Sequence, residues 1–516
     1  MSPRRSRRRS FASLAAGAAL ATTMLAGVPG ATAQPAEPPS TPAPLATPDG
    51  TVASYVLNAR HADRSHTRKV QQAVKRAGGV TVQAWPQIGV VIAHADRAAF
   101  RADVRRYAGR ALESVGATRS VPVSEGTPEG LPGGGGHGGR GDHRDHSEKD
   151  GRGDVGNEAT LAAADDPREA EQWDMKMIKA DQAHKITDGS RKVVVGVLDS
   201  GIDADHPDLA SNIDVKDSVN CTDAGRPDRS ATGWQPTTSD HGTHVAGTIA
   251  AARNGVGIVG VAPNVRLASV KVVNDAGFIY PEYAVCGFVW AGLHDMDVTN
   301  NSYYVDPFEF YCEDQPDQYA AKEAVRRAVD WSTDQGVVHA AAAGNSAHDL
   351  SDKSSFHDTT SPDDGTAVDR TLNSGCEDIP TELDGVVTVS SMQRFPADTM
   401  DSRLSGFSNR GLGKIDVAAP GSSILSTIIE DPITGEENVY GLKSGTSMAS
   451  PHVAGVLALM KSVHPRWSPA QMIAKLRRQA DDKACGTTTA GAPCTGPASE
   501  NSYFGEGVVD ALDAVS

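Results

Sequence analysis

The chain has 516 residues and a formal net charge of −16, long enough for two or three domains. The acidic balance argues against nucleic acid as a partner. Six cysteines with no Cys-x-x-Cys pair argue against zinc or thioredoxin-like sites and for disulfides in an exported chain.

Taken from the N-terminus, Arg4, Arg5, Arg7, Arg8 and Arg9 precede a small-apolar run from Phe11 to Gly27, and Ala31-Thr32-Ala33 reads as a cleavage site. Residues 1–33 are therefore expected to be a secretory signal peptide. Arg8-Arg9-Ser10-Phe11 also fits a twin-arginine signal, so both that route and the Sec route stay open. The run is too short to span a bilayer, and the mature protein is expected to be exported with no membrane span. Residues 34–50 are Pro-rich and read as a linker.

Residues 51–123 carry 12 Lys/Arg against 4 Asp/Glu, a net +8. Strand-like runs at 52–57, 80–85, 89–93 and 112–115 alternate with helical runs at 67–77 and 95–107. This β-α-β-β-α-β order predicts a small ferredoxin-like α+β unit. Residues 124–165 are rich in Gly, Asp and His and read as a flexible linker. His137, His143 and His146 and two Arg-Gly-Asp triplets fall there and are read as features of the biased composition.

From 166 to 516, continuous apolar runs at 193–198, 268–273, 337–343 and 386–390 alternate with helical segments. Such runs suit a mostly parallel sheet covered by helices on both faces, an α/β domain. Residues 124–516 carry a net charge of −27, opposite in sign to the small unit, which favours docking of the two.

Three motifs sit at element ends. They are Asp199-Ser200-Gly201 after the first apolar strand, "HGTHVAGT" from His241, and "GTSMASPHVAG" from Gly445 to Gly455. An attacking hydroxyl needs an imidazole to take its proton and a carboxylate to hold the imidazole in one tautomer. Asp199, His241 and Ser447 supply the three types. Separately they also read as a capping Asp, a core His and a helix N-cap Ser.

The chain order Asp, His, Ser with these motifs resembles the subtilisin-like serine endopeptidases, the subtilase family. The resemblance covers roughly residues 166–516. It implies a catalytic triad of Asp199, His241 and Ser447, with Asn345 in "HAAAAGNSA" as oxyanion donor and His244 as the family's second, non-catalytic histidine. It makes the small unit an inhibitor-like pro-domain, acting in cis and removed by self-processing somewhere in 120–165. It implies a secreted, monomeric serine protease acting on proteins or peptides, with no cofactor for catalysis. The substrate strand would include Ser302, Tyr303 and Tyr304, with Ala342, Ala343 and Gly344 opposite.

A structural Ca²⁺ is also implied, held by Asp208, Asn254, Gln172 and the carbonyls of Ala252, Val256 and Ile258. The alternative for Asp208 is a turn cap. Alignment to the family suggests disulfides Cys221–Cys286 and Cys312–Cys376, and Cys485 and Cys494 form the natural local pair.

The chain departs from the family pattern at two places. Tyr303 and Tyr304 stand where the family has Leu and Gly, and strand neighbours face opposite sides, so both rings cannot be core. After Asn345 an insertion runs to about Gly375, and Asp378 then falls at the family's S1 floor. A carboxylate there would favour Arg or Lys before the scissile bond; a solvated loop acid is the stronger reading. A non-catalytic binding protein with its cleft closed by Tyr304 is the competing function.

Overall fold

The computed structural model describes residues 37–122, 165–430, 435–486 and 493–516. The signal peptide, the histidine tract and all of the second linker except Asp165 lie outside them. In the small N-terminal unit, strands Ala53–Ala59, Val80–Trp85, Val90–Ala95 and Leu112–Ser120 form an antiparallel sheet. Its spatial order is 80–85, 90–95, 53–59, 112–120, the ferredoxin-like arrangement. Helix Arg64–Arg76 starts where the Asp63 carboxylate accepts from Ser65 N and His66 N, at 2.7 and 2.8 Å, satisfying two of the orphan N–H groups of its first turn.

Strand Ala53–Ala59 is buried on both faces. By the two-residue period, Tyr55 and Leu57 enter the unit's own core with Val70, Val74 and Phe100. Val56 instead joins a second core with Ala320, Ala324 and Phe288 of the larger domain. The sheet thus uses helix Pro316–Asp334 as its second cover. Gly116 marks the closest approach: a Cβ there would lie 2.6 Å from Asp317 O.

Polar groups fix the docking. Arg119 Nε donates to Glu282 Oε1 at 2.8 Å in an ion pair shielded from solvent, and Ser54 Oγ donates to the same oxygen at 2.9 Å. Arg101 pairs with Asp317, and Arg327 with Glu113 at 3.0 Å.

The segment expected to be a Pro-rich linker is partly packed. Ser40 N and Oγ donate to the Asp314 carboxylate at 2.8 and 2.6 Å, Thr41 N donates to Thr371 O at 2.9 Å, and Ala43 is buried in the shared core. Proline content favoured an extended chain but did not forbid docking.

The larger domain is built on a nine-stranded sheet. Strands Val219–Asp223, Arg266–Lys271, Val194–Asp199, Val298–Asn301, Val338–Ala342, Val386–Arg394 and Val417–Pro420 run parallel. Strands Arg226–Asp228 and Ser402–Leu404 pair antiparallel at its margins. Val195 and Val197 face helices His241–Ala250 and Thr446–Val463. Val194 and Leu198 face helices Pro281–Leu293 and Pro316–Asp334. This is the mostly parallel sheet covered on both faces that the apolar runs predict. Disulfides Cys221–Cys286, Cys312–Cys376 and Cys485–Cys494 are formed. Among the described residues no helix is long and apolar enough to cross a membrane.

Candidate active site

The parallel strands deliver their C-terminal ends to one edge of the sheet, where open α/β folds bind ligands. Asp199 ends one strand and is 1% exposed. Its carboxylate accepts from His241 Nδ1 at 2.8 and 3.0 Å and from Ser200 N at 2.7 Å. His241 opens helix His241–Ala250. The helix start can come this close because its second residue is Gly242: a Cβ there would lie 2.4 Å from Gly201 O. Desolvation of the His241 ring lowers its pKa, but the charge and hydrogen bond of Asp199 outweigh that, and the net displacement is upward from 6.5.

His244, one turn further on, is buried, with its Nε2 on Ile424 O and Gly441 O at 3.1 and 3.2 Å. Burial brings its pKa down to about 3, and the nearby His241 adds to this. It stays neutral and structural.

Ser447 is the second residue of helix Thr446–Val463. Its N–H belongs to the first turn, where no intrahelical acceptor exists. Its Oγ is weakly held, donating to Ser302 O at 3.4 Å rather than to His241. Pro451, four residues on, has no N–H to give the Ser447 carbonyl. Ser302 Oγ supplies that donor instead, at 2.9 Å. Ser302 in turn accepts from Asn300 Nδ2 at 2.8 Å, and Asn300 Oδ1 accepts from Ser450 Oγ at 2.7 Å. Asn345 Oδ1 accepts from Thr446 N and Oγ1 at 2.8 and 3.0 Å. Asn345 is exposed and lines the same cavity as Ser447, with its amide oxygen held by Thr446.

A cavity of about 350 Å³ opens at this edge. Ser302, Tyr303, Tyr304, Ala342, Gly344, Asn345, Asp378 and Ser447 all line it. Ala343, expected there, does not: it is fully buried and its N–H donates to Val389 O at 3.0 Å. Its side chain points to the opposite face from Ala342. Tyr303 packs on the core and donates to Asn301 Oδ1 at 3.1 Å, and Tyr304 donates to Asp363 Oδ2 at 2.8 Å. Tyr304 is a wall of the cavity rather than a plug.

Asp378 is 2% exposed, which overturns the solvated-acid reading. It follows the two-stranded pairing of Tyr311–Cys312 with Cys376–Glu377, locked by the Cys312–Cys376 disulfide. Burial raises its pKa well above the carboxylate range, and the charges of Glu309 and Glu382 add to this. Asp306, Glu309, Ser346, Asp363 and Thr446 also line the cavity. They stand outside the quoted motifs or carry no motif role, so local sequence patterns did not mark them.

The residues expected to hold Ca²⁺ do not fit it as a set. Gln172 pairs with the Val259 backbone in both directions, at 2.8 and 3.0 Å. Asn254 meets Asp208 with its Nδ2 donor, at 3.2 Å, while its Oδ1 accepts from Val256 N at 2.9 Å. The other Asp208 oxygen accepts from Ile258 N at 3.0 Å. A calcium cage needs six to eight oxygens aimed at one point, and each of these side-chain oxygens already faces an N–H.

The description "Subtilase family" matches residues 190–507, more than half of the chain. The chain belongs to the subtilase family. It is 33% identical over 308 residues to subtilisin E of Bacillus subtilis (strain 168), covering 60% of this chain and 65% of that protein. It is 30% identical over 329 residues to fervidolysin of Fervidobacterium pennivorans, covering 60% of this chain and 40% of that protein. Alignment thus spans under two thirds of these relatives' lengths. Among solved structures, fervidolysin superposes with a TM-score of 0.61 at 23% identity, over 90% of this chain and 61% of that one. The epidermin leader peptide processing serine protease of Staphylococcus aureus gives 0.61 at 20% identity, over 90% and 98%. These two likenesses concern the fold.

Proposed function

We propose that this subtilase is an exported serine endopeptidase, made as a zymogen that removes its own N-terminal unit. The observation that carries the reading is the Asp199–His241 contact at 2.8 Å, set at the same sheet edge as the cavity that Ser447 and Asn345 line.

The residues then divide the work of acyl transfer. Ser447 Oγ attacks the scissile carbonyl, and His241 Nε2 takes its proton as the bond forms. His241 Nδ1–H stays on Asp199, which holds the tautomer and favours the imidazolium. The oxyanion is met by Ser447 N–H and Asn345 Nδ2, each such donor being worth roughly 10²–10³ in rate. His241 then returns the proton to the leaving amine, and water releases the acyl group from Ser447.

The N-terminal unit fits a pro-domain because its sheet needs the larger domain as a second cover. The signal-like residues 1–33 support export. The test is Ser447→Ala in the full chain, purified without other proteases. The variant should keep residues 51–123 covalently attached while the wild type loses them. Equal maturation of both chains would refute self-processing.

A further inference from the structure

Of the four carboxyl groups that line the cavity, Asp378 and Glu309 flank the turn at residues 344–346. Among the described residues, the one cation-capable group at ion-pair distance from them is His348, whose Nε2 stands 3.9 Å from Glu309 Oε1 and whose pKa burial brings down to about 4. Asp378 lies under Gly344, next to Asn345, with one oxygen 3.5 Å from where a Gly344 Cβ would be. Its other oxygen, Oδ1, is buried and has no hydrogen-bond partner. Glu309, 7% exposed, reaches the same cavity from the loop after the substrate strand and accepts from Ser346 Oγ at 2.8 Å. The nearest ammonium, Lys353, is already engaged. It pairs with Glu382, which also pairs with Lys414 at 3.0 Å, and it lies 4.4 Å from the Phe310 ring centre. Burial brings the Glu309 pKa up to about 7. A desolvated carboxyl without a counter-charge is costly unless a cation arrives from outside.

We propose that Glu309 and Asp378 together form a cation-binding floor that selects Arg, and Lys less strongly, as the residue on the acyl side of the scissile bond. The proposal rests on the protease reading above and names its substrate class. A cavity of about 350 Å³ beside Ser447 admits one side chain. The Tyr303 and Tyr304 walls suit an aliphatic stem and the face of a guanidinium. Two carboxylates on different chain segments match a planar fork with five donors better than a single ammonium. No residue among the described lining groups brings a positive charge. The second carboxylate comes from a loop that the insertion after Asn345 packs against: Glu309 N donates to Ser361 Oγ at 2.9 Å.

The test uses matured wild-type enzyme and peptides that differ only at that one position. Active sites are counted first with a fluorophosphonate probe, which reads Ser447 reactivity independently of the peptide. The ratio of kcat/KM for Arg over Leu is expected to be roughly 10² or more, since a buried charge pair of this kind is worth about that. Arg should exceed Lys several-fold. Asp378→Asn should collapse the Arg/Leu ratio by roughly 10²-fold, and Glu309→Gln should bring Arg and Lys close to equal. Benzamidine should compete with substrate in the wild type where neutral benzamide does not, a measurement independent of how the variants fold. Labelled, active enzyme that cleaves Leu as well as Arg, or that is indifferent to benzamidine, overturns the proposal while leaving the protease reading intact. Failure of the probe to label at all removes the reading beneath it.

Discussion

Ser302 Oγ donates to the Ser447 carbonyl at 2.9 Å, where Pro451 has removed the intrahelical donor. Among the hydrogen bonds that join residues 300–302 to helix Thr446–Val463, this one takes the place of the intrahelical bond that the proline removes. Ser302→Ala should leave that half-buried carbonyl unmet, costing about 1 kcal/mol or more and lowering kcat. In a Pro451→Ala background the helix regains its N–H, and the same Ser302 change should cost less. Thermal denaturation of the four proteins checks this: equal losses in both backgrounds would contradict the coupling.

Thr446 fixes the Asn345 amide through Oδ1. Asn345→Ala should lower kcat by roughly 10²–10³ with little change in KM. Thr446→Val keeps the backbone bond but loses the hydroxyl, and should give a smaller fall in kcat alone. A change confined to KM in either variant would remove the oxyanion assignment.

The upward displacement of the His241 pKa has a definite sign for catalysis. The base must be neutral, so kcat/KM should rise with pH through an apparent pKa above 6.5. Asp199→Asn removes the charge that raises it, so the apparent pKa should fall as the rate drops by roughly 10⁴. A pH profile whose midpoint ignores Asp199 would break the link.

Asp306 is pushed upward by burial and by its neighbour Asp363, which also receives the Tyr304 hydroxyl. A carboxyl raised on folding binds its proton more tightly in the native state. Its stability contribution is therefore present below the unfolded pKa near 4 and is lost as pH rises toward the folded value. Asp306→Asn should flatten the fall in Tm between about pH 5 and 8. An unchanged slope would show that this pair does not tie the insertion to the cleft.

Arg119 and Glu282 are shielded from solvent across the two domains. Removing one partner of a buried pair costs about 3–5 kcal/mol, so Arg119→Ala should release the N-terminal unit much earlier during maturation. Activation time courses of the full chain measure this, and a wild-type lag would contradict it.

The sheet and the Asp199–His241 pairing were legible because each lies in a contiguous run: "VVVGVL" before Asp199, and "HGTH". Asp378 was placed at the cavity by alignment, but its burial and the approach of Glu309 were not legible. Glu309 and Asp378 are separated by the insertion and meet only through the Cys312–Cys376 pairing and the Ser361 contact. Ala343 was misplaced by one residue of strand alternation, which a family alignment does not display. The packed residues around Ser40 were missed because proline content reports backbone preference, not partners. The calcium set matched in spacing, yet spacing does not show which end of the Asn254 amide faces Asp208.

The most direct measurement is mass spectrometry of the matured enzyme after reaction with a fluorophosphonate probe. A single adduct on Ser447 is expected, formed at a rate that falls at least a thousandfold, on the order of a lost triad member, in His241→Ala freed of its N-terminal unit by an added protease. An unlabelled, correctly processed protein, or labelling that persists without His241, would contradict it.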